Sequence, residues 1–154
     1  MKLFKRYKSS GLTIVELLVA MAIIGVLAGI AIPLYAGYIE NTRVQNAMQD
    51  IRAISLVIDQ YEIDNNSLPN SLADVNYANF LDPWGNPYQY LNIQTAKNKG
   101  QCRKDRFVVP INSDYDLYSM GKDGKSVPPL TAKDSRDDII RANDGAYIGP
   151  ASGY

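Results

Sequence analysis

One carboxylate stands in a stretch that otherwise offers almost no chemistry. From Leu12 to Ile32 the chain is of membrane length and apolar, and its single ionisable residue is Glu16. A carboxylate at the centre of a membrane helix costs about 2.5–3.5 kcal/mol on insertion scales, and such residues are usually functional. Glu16 therefore needs a cation at membrane depth as its partner. Ahead of it lie Lys2, Lys5, Arg6 and Lys8, and then Gly11. An ordinary secretory peptide has a shorter apolar region with a small-residue cleavage site after it. Here the small residue precedes the apolar run, so that run is retained as a helix after processing, and a plain signal anchor has no use for Glu16.

Elsewhere the groups that usually carry catalysis are scarce. The chain has no histidine, which removes the commonest general base and zinc ligand. Its one cysteine, Cys102, cannot form an internal disulfide and reads as a small buried residue or, less simply, an intermolecular bridge. No nucleophile has an evident base, so a membrane-tethered enzyme or binding module is the weakest reading. No basic patch with interleaved aromatics points to nucleic acid. The 16 basic and 16 acidic residues cancel over 154 residues, but the leader is basic and the remainder mildly acidic. Positive charge before the helix predicts a cytoplasmic N-terminus and an exported C-terminal region.

The elements that position these residues follow from periodicity. Residues 1–11 are a leader and 12–33 a transmembrane helix. Gly25 and Gly29 have a small-xxx-small spacing, which permits close packing or simply reflects how common glycine is in membrane helices. Pro33 should kink the helix. Residues 34–63 continue it in amphipathic form, with Val44, Ala47, Met48, Ile51, Ile54, Ser55, Ile58 and Tyr61 at helical spacing. That apolar face must pack on a globular head, residues 64–154. The turn formers from Asp64 to Asn70 end the helix. A short helix from Ser71 to about Tyr77 and strands at Tyr88–Leu91, Phe107–Pro110 and Tyr115–Ser119 are predicted. No regular element is predicted beyond Ile140, and the tail to Tyr154 is left without a role. The fold class is α+β: a long N-terminal helix, transmembrane then amphipathic, packed on a small antiparallel β-sheet head.

Gly11-Leu12-Thr13-Ile14-Val15-Glu16 at the head of an apolar helix resembles the prepilin signal of the type IV pilin-like family, with Leu12 where the family usually has Phe. The resemblance implies a pilin fold, cleavage between Gly11 and Leu12 by a prepilin peptidase, and N-methylation of Leu12. It also implies pairing of Glu16 with the Leu12 amine of a neighbouring subunit in a filament. Two further stretches are more specific. Asp82-Pro83-Trp84-Gly85-Asn86-Pro87-Tyr88 and Tyr115-Asp116-Leu117-Tyr118-Ser119-Met120-Gly121-Lys122-Asp123-Gly124 resemble segments of the major pseudopilins of type II secretion. The implied function is a structural, non-enzymatic subunit of a secretion pseudopilus. It would sit in the inner membrane with its head in the periplasm. Its implied partners are its own copies, minor pseudopilins, the inner-membrane assembly platform and its ATPase. The alternative is a type IV pilus pilin for adhesion, motility or DNA uptake.

The same resemblance implies calcium. The corresponding ligands are the carboxylates of Asp123, Asp137 and Asp138 with the main-chain carbonyls of Met120 and Lys125. Three carboxylates and two carbonyls leave room for water among the six to eight oxygens that calcium takes. The alternative is a solvated turn with ordinary surface acids. The loop Lys125 to Arg136, with Pro128-Pro129, is longer than in the family, and Asp134 within it is a possible substitute ligand.

Overall fold

The computed structural model describes residues 11–154; residues 1–10 of the predicted leader lie outside the described residues. The chain divides into two compact units, residues 1–39 and Glu40–Tyr154.

In the first unit, the N-terminal part of helix α1 (Ile14–Asn65) is long and apolar enough to cross a bilayer. Its large apolar side chains are exposed: Leu18, Ile24 and Leu27 are all more than half exposed. Helix α1 runs on through Pro33, where a kink is expected. Proline removes one backbone donor, and a membrane helix tolerates that where neighbouring groups re-satisfy the freed carbonyl.

In the second unit, α1 carries Ala47, Ile51, Ile54 and Ile58, all fully buried. Their four-three-four spacing puts them on one stripe. Val44, Met48 and Tyr61 flank that stripe at partial burial. The helix ends at Asn65, whose Nδ2 donates to the Tyr61 carbonyl at 2.9 Å. Asn66 follows in the left-handed region at φ 52°, the conformation that commonly closes a helix. The predicted short helix after Ser71 is a single 3₁₀ turn, Leu72–Val75. Asp74 holds its start by accepting from the Asn70 and Ser71 amides at 2.9 and 3.0 Å.

Four strands form one antiparallel meander in chain order: β1 (Gln89–Asn92), β2 (Tyr115–Ser119), β3 (Ile139–Ala142) and β4 (Tyr147–Pro150). The register sets Tyr90 opposite Leu117, Ser119 opposite Ile139 and Ile140 opposite Gly149. Alternation along the strands sends Tyr115, Leu117, Ile139 and Ile148 to the helix stripe. It sends Tyr118, Ile140, Ala142 and Tyr147 to a second cluster with Ile111, Leu130 and Ala151. The sheet is thus covered on both faces, by α1 on one and by irregular chain on the other.

Two expectations need correction. Phe107–Pro110 is not a strand. Asp105 and Val108 exchange backbone hydrogen bonds of 3.1 and 2.7 Å around Arg106 at φ 43°, which leaves Phe107 fully exposed at a turn tip. The tail is not irregular: it contributes β3 and β4, joined through Asn143-Asp144-Gly145, all three at positive φ.

Candidate functional site

At the N-terminus, Thr13 and Glu16 form a reciprocal cap. Glu16 Oε2 accepts from the Thr13 amide and hydroxyl, both at 2.8 Å, while the Glu16 amide donates to Thr13 Oγ1 at 3.2 Å. This is the capping-box arrangement, which satisfies amides that the helix start would otherwise strand. It also gives Glu16 a fixed direction at the head of the apolar helix, close in sequence to the exposed Leu12 and Gly11. The cap engages one carboxylate oxygen, and an ionised carboxylate has about four acceptor positions in all. Capping therefore leaves room for a cation on the same group.

In the head, the two family-like stretches dock on each other through Asp82, which is 4% exposed. Its Oδ1 accepts from the Trp84 and Asn86 amides at 3.0 and 2.8 Å, closing the turn in which Gly85 takes φ 94°. Its Oδ2 accepts from Ser119 Oγ at 2.5 Å, and Ser119 Oγ in turn accepts from the Gly121 amide at 3.0 Å. Asn86 Nδ2 donates to the Gly121 carbonyl at 2.9 Å. Trp84 packs partly buried at this turn, and its indole N–H donates to Glu40 of α1 at 3.0 Å. Gly121 sits at φ 63°, where a Cβ would stand 2.3 Å from the Asp137 carbonyl oxygen. No other residue type fits there.

The residues implied for calcium are placed as follows. Asp123 and Lys125 are exposed, Met120 and Asp137 are half-buried, and Asp138 is fully buried. Asp123 and Asp137 meet: Asp137 Oδ2 accepts from the Asp123 amide at 3.0 Å, and Asp123 Oδ1 accepts from the Lys125 amide at 2.8 Å. Asp138 goes elsewhere. Its Oδ2 accepts from Arg103 Nη2, in an ion pair whose side chains are 3% and 0% exposed, and from Ser126 Oγ at 2.6 Å. Asp134 lies exposed in a 3₁₀ turn, Lys133–Ser135. Among the described residues, no three acidic side chains gather as a metal cluster. A divalent ion on Asp138 would face a guanidinium across one carboxylate, in a low-dielectric interior where like charges repel strongly. As placed, the three carboxylates are not gathered around one point: Arg103 and Ser126 take Asp138 Oδ2, and its Oδ1 is buried without a partner.

Arg103 is a residue for which the sequence gives no local sign. Its guanidinium lies 4.3 Å over the Tyr118 ring, and Nη1 donates to Ser126 Oγ and the Val127 carbonyl, both at 2.6 Å. Its amide donates to Asp116 Oδ2 at 2.6 Å, and Asn112 Nδ2 holds Asp116 Oδ1 at 2.9 Å. Burial pushes the Asp138 carboxyl up to about 6, with Ser126 and Arg103 pulling against it. Burial likewise raises Asp116 against the Arg103 amide and Asn112. Removing one partner of such a buried pair costs about 3–5 kcal/mol. A second buried arginine, Arg141, forks onto Asp114 at 2.8 and 2.6 Å and lies 4.0 Å over Tyr115. Cys102 is fully buried, and burial pushes its thiol up, away from thiolate chemistry.

A family model described as a prokaryotic N-terminal methylation motif matches residues 6–32. The chain is 32% identical over 142 residues to the type II secretion system core protein G of Pseudomonas aeruginosa, covering 79% of this chain and 89% of that relative. It is also 32% identical over 143 residues to the same-named protein of Aeromonas hydrophila, with the same coverage. Its similarity to the type IV major fimbrial protein FimA of Dichelobacter nodosus, 33% identity over 91 residues, covers 59% of this chain and 56% of that one. No solved structure gives a significant match.

Proposed function

The chain belongs to the family of type II secretion system core protein G, and from that premise we propose that it is a structural subunit of a secretion pseudopilus. The single observation that carries the reading is that similarity to the core protein covers 79% of this chain and 89% of that relative, against 59% and 56% for the fimbrial match. The N-terminal motif alone would fit any pilin-like protein.

In this proposal a prepilin peptidase cuts between Gly11 and Leu12, and Leu12 carries the methylated amine. The subunit waits in the inner membrane with its head in the periplasm. The bare apolar surface of α1 is covered by lipid in the monomer and by neighbouring helices in the filament. Glu16 supplies the directional part of that contact. The capping box holds its carboxylate at the helix head, and the neighbour's Leu12 amine supplies the cation that a desolvated carboxylate needs. Minor pseudopilins, the inner-membrane assembly platform and its ATPase complete the machine. The head has a structural role and not a catalytic one.

Deletion of the gene, scoring extracellular enzyme release and surface pili together, tests the proposal. Lost secretion with pili intact is the expected result. Lost pili with secretion intact would move the chain to the pilus reading, and no change in either would sink both.

A further inference from the structure

We propose that Arg103 serves as the built-in cation of the head, tying the C-terminal loop in place where the family resemblance implies a calcium ion. Arg103 joins segments that lie far apart in sequence. Through its amide it holds Asp116 of β2 at 2.6 Å. Through Nη1 it holds Ser126 and Val127 of the long loop at 2.6 Å each, and through Nη2 it holds Asp138 at the entry to β3.

The backbone repeats the connection. Lys104 donates to the Pro128 carbonyl at 3.0 Å, and the Leu130 amide donates to the Lys104 carbonyl at 2.9 Å. The Asp138 carbonyl accepts from the Ala151 amide at 2.8 Å, so the same node reaches the tail beyond β4. A chain with one cysteine has no disulfide to do this. The guanidinium thus ties the chain just beyond Lys125 to Asp138, while Asp123 and Asp137 are joined directly.

A further observation agrees. The extra length of the loop is used for this contact: Ser126 and Val127 are gripped by Arg103, and Ser135 Oγ bonds both the Val127 amide and its carbonyl, at 2.9 and 2.7 Å. Arg103 and Asp138 meet through one bond, from Nη2 to Oδ2, and Arg103 Nε and Asp138 Oδ1 are buried without a partner. Arginine also keeps its charge at any pH the protein meets, so the link needs no ion from the surroundings.

The test uses the full chain in detergent micelles, with thermal unfolding followed by the fluorescence of Trp84, the only tryptophan. Equal melting temperatures in millimolar calcium and in chelator, with no calcium retained on equilibrium dialysis, are expected. Arg103→Met should lower the melting temperature, and Arg103→Lys should lower it less. The double variant Arg103→Met, Asp138→Asn should lose less than the sum of the two single losses, because each single variant strands a buried partner. A melting temperature that falls in chelator, or one calcium retained per chain, would overturn the proposal without needing any variant to fold. Additive losses in the double variant would overturn the pairing on which it rests.

Discussion

Replacing Asp82 by alanine should be among the most damaging single changes in the head, although Asp82 touches no ligand and lies in a turn. The carboxylate accepts three hydrogen bonds, from the Trp84 amide, the Asn86 amide and the Ser119 hydroxyl. Bonds to a carboxylate contribute about 1.5–3 kcal/mol each. Simple addition would give roughly 4.5–9 kcal/mol for the three. Trp84 and Asn86 are only half-buried, so water can take over part of their need, whereas Ser119 is fully buried. A loss of about 3–4 kcal/mol is expected on that basis, a large share of a total stability of about 5–15 kcal/mol. Asp82→Asn keeps an oxygen for the two amides and removes only the acceptor for Ser119, so it should cost about 1–2 kcal/mol. Urea unfolding of the full chain in detergent, read by Trp84 fluorescence two residues away, measures both. An alanine variant within about 0.5 kcal/mol of the parent would refute the reasoning, since surface changes away from such features fall in that range. So would an asparagine variant as damaged as alanine.

Two further outcomes follow from the same geometry. Gly121→Ala should destabilise the head by well over about 1 kcal/mol, because the new Cβ meets the Asp137 carbonyl at 2.3 Å in a left-handed backbone; chemical denaturation near parental stability would contradict it. Burial raises the hydroxyls of Tyr88, Tyr90 and Tyr115, the last to about 12 from 10.0. The folded state therefore binds more protons than the unfolded state in that window, and the stabilisation present below about pH 10 should be lost as pH rises towards 12. Burial also raises Tyr118 and Tyr147, so absorbance titration should show these five of the eleven tyrosines ionising late and together with unfolding.

The parts of the fold legible in the sequence are those with local signals. The stripe Ala47, Ile51, Ile54, Ile58 has helical period, the run Asp64 to Asn70 is rich in turn formers, and Tyr115–Ser119 is bounded as a strand should be. Strands β3 and β4 were hidden because β3 is buried on both faces, so Ile139-Ile140-Arg141-Ala142 shows no alternation. The Asp144-Gly145 turn between them is a hairpin signal, but it lacks the alternating flanks that make such a turn persuasive. Phe107-Val108-Val109 has strand-forming composition and no partner strand to complete it, and β propensity alone does not decide. Arg103 was invisible for a different reason: Asp116, Ser126 and Asp138 lie 13 to 35 residues away in sequence. The cap of Thr13 and Glu16 has a plain signature, threonine followed three residues later by glutamate ahead of an apolar run. The membrane cost of Glu16 points first to a partner in another chain, and the structure adds a partner in its own.

The filament itself gives the most direct test. Cells producing this chain, and cells producing Glu16→Ala in its place, would be sheared or lysed, and any filaments recovered, imaged and analysed by intact mass. Filaments built from a chain that begins at methylated Leu12 are expected. The Glu16→Ala chain should reach the membrane and be processed, yet yield few or no filaments. Normal filaments from Glu16→Ala, or a parental chain found only as an unassembled membrane protein that retains residues 1–11, would contradict these expectations.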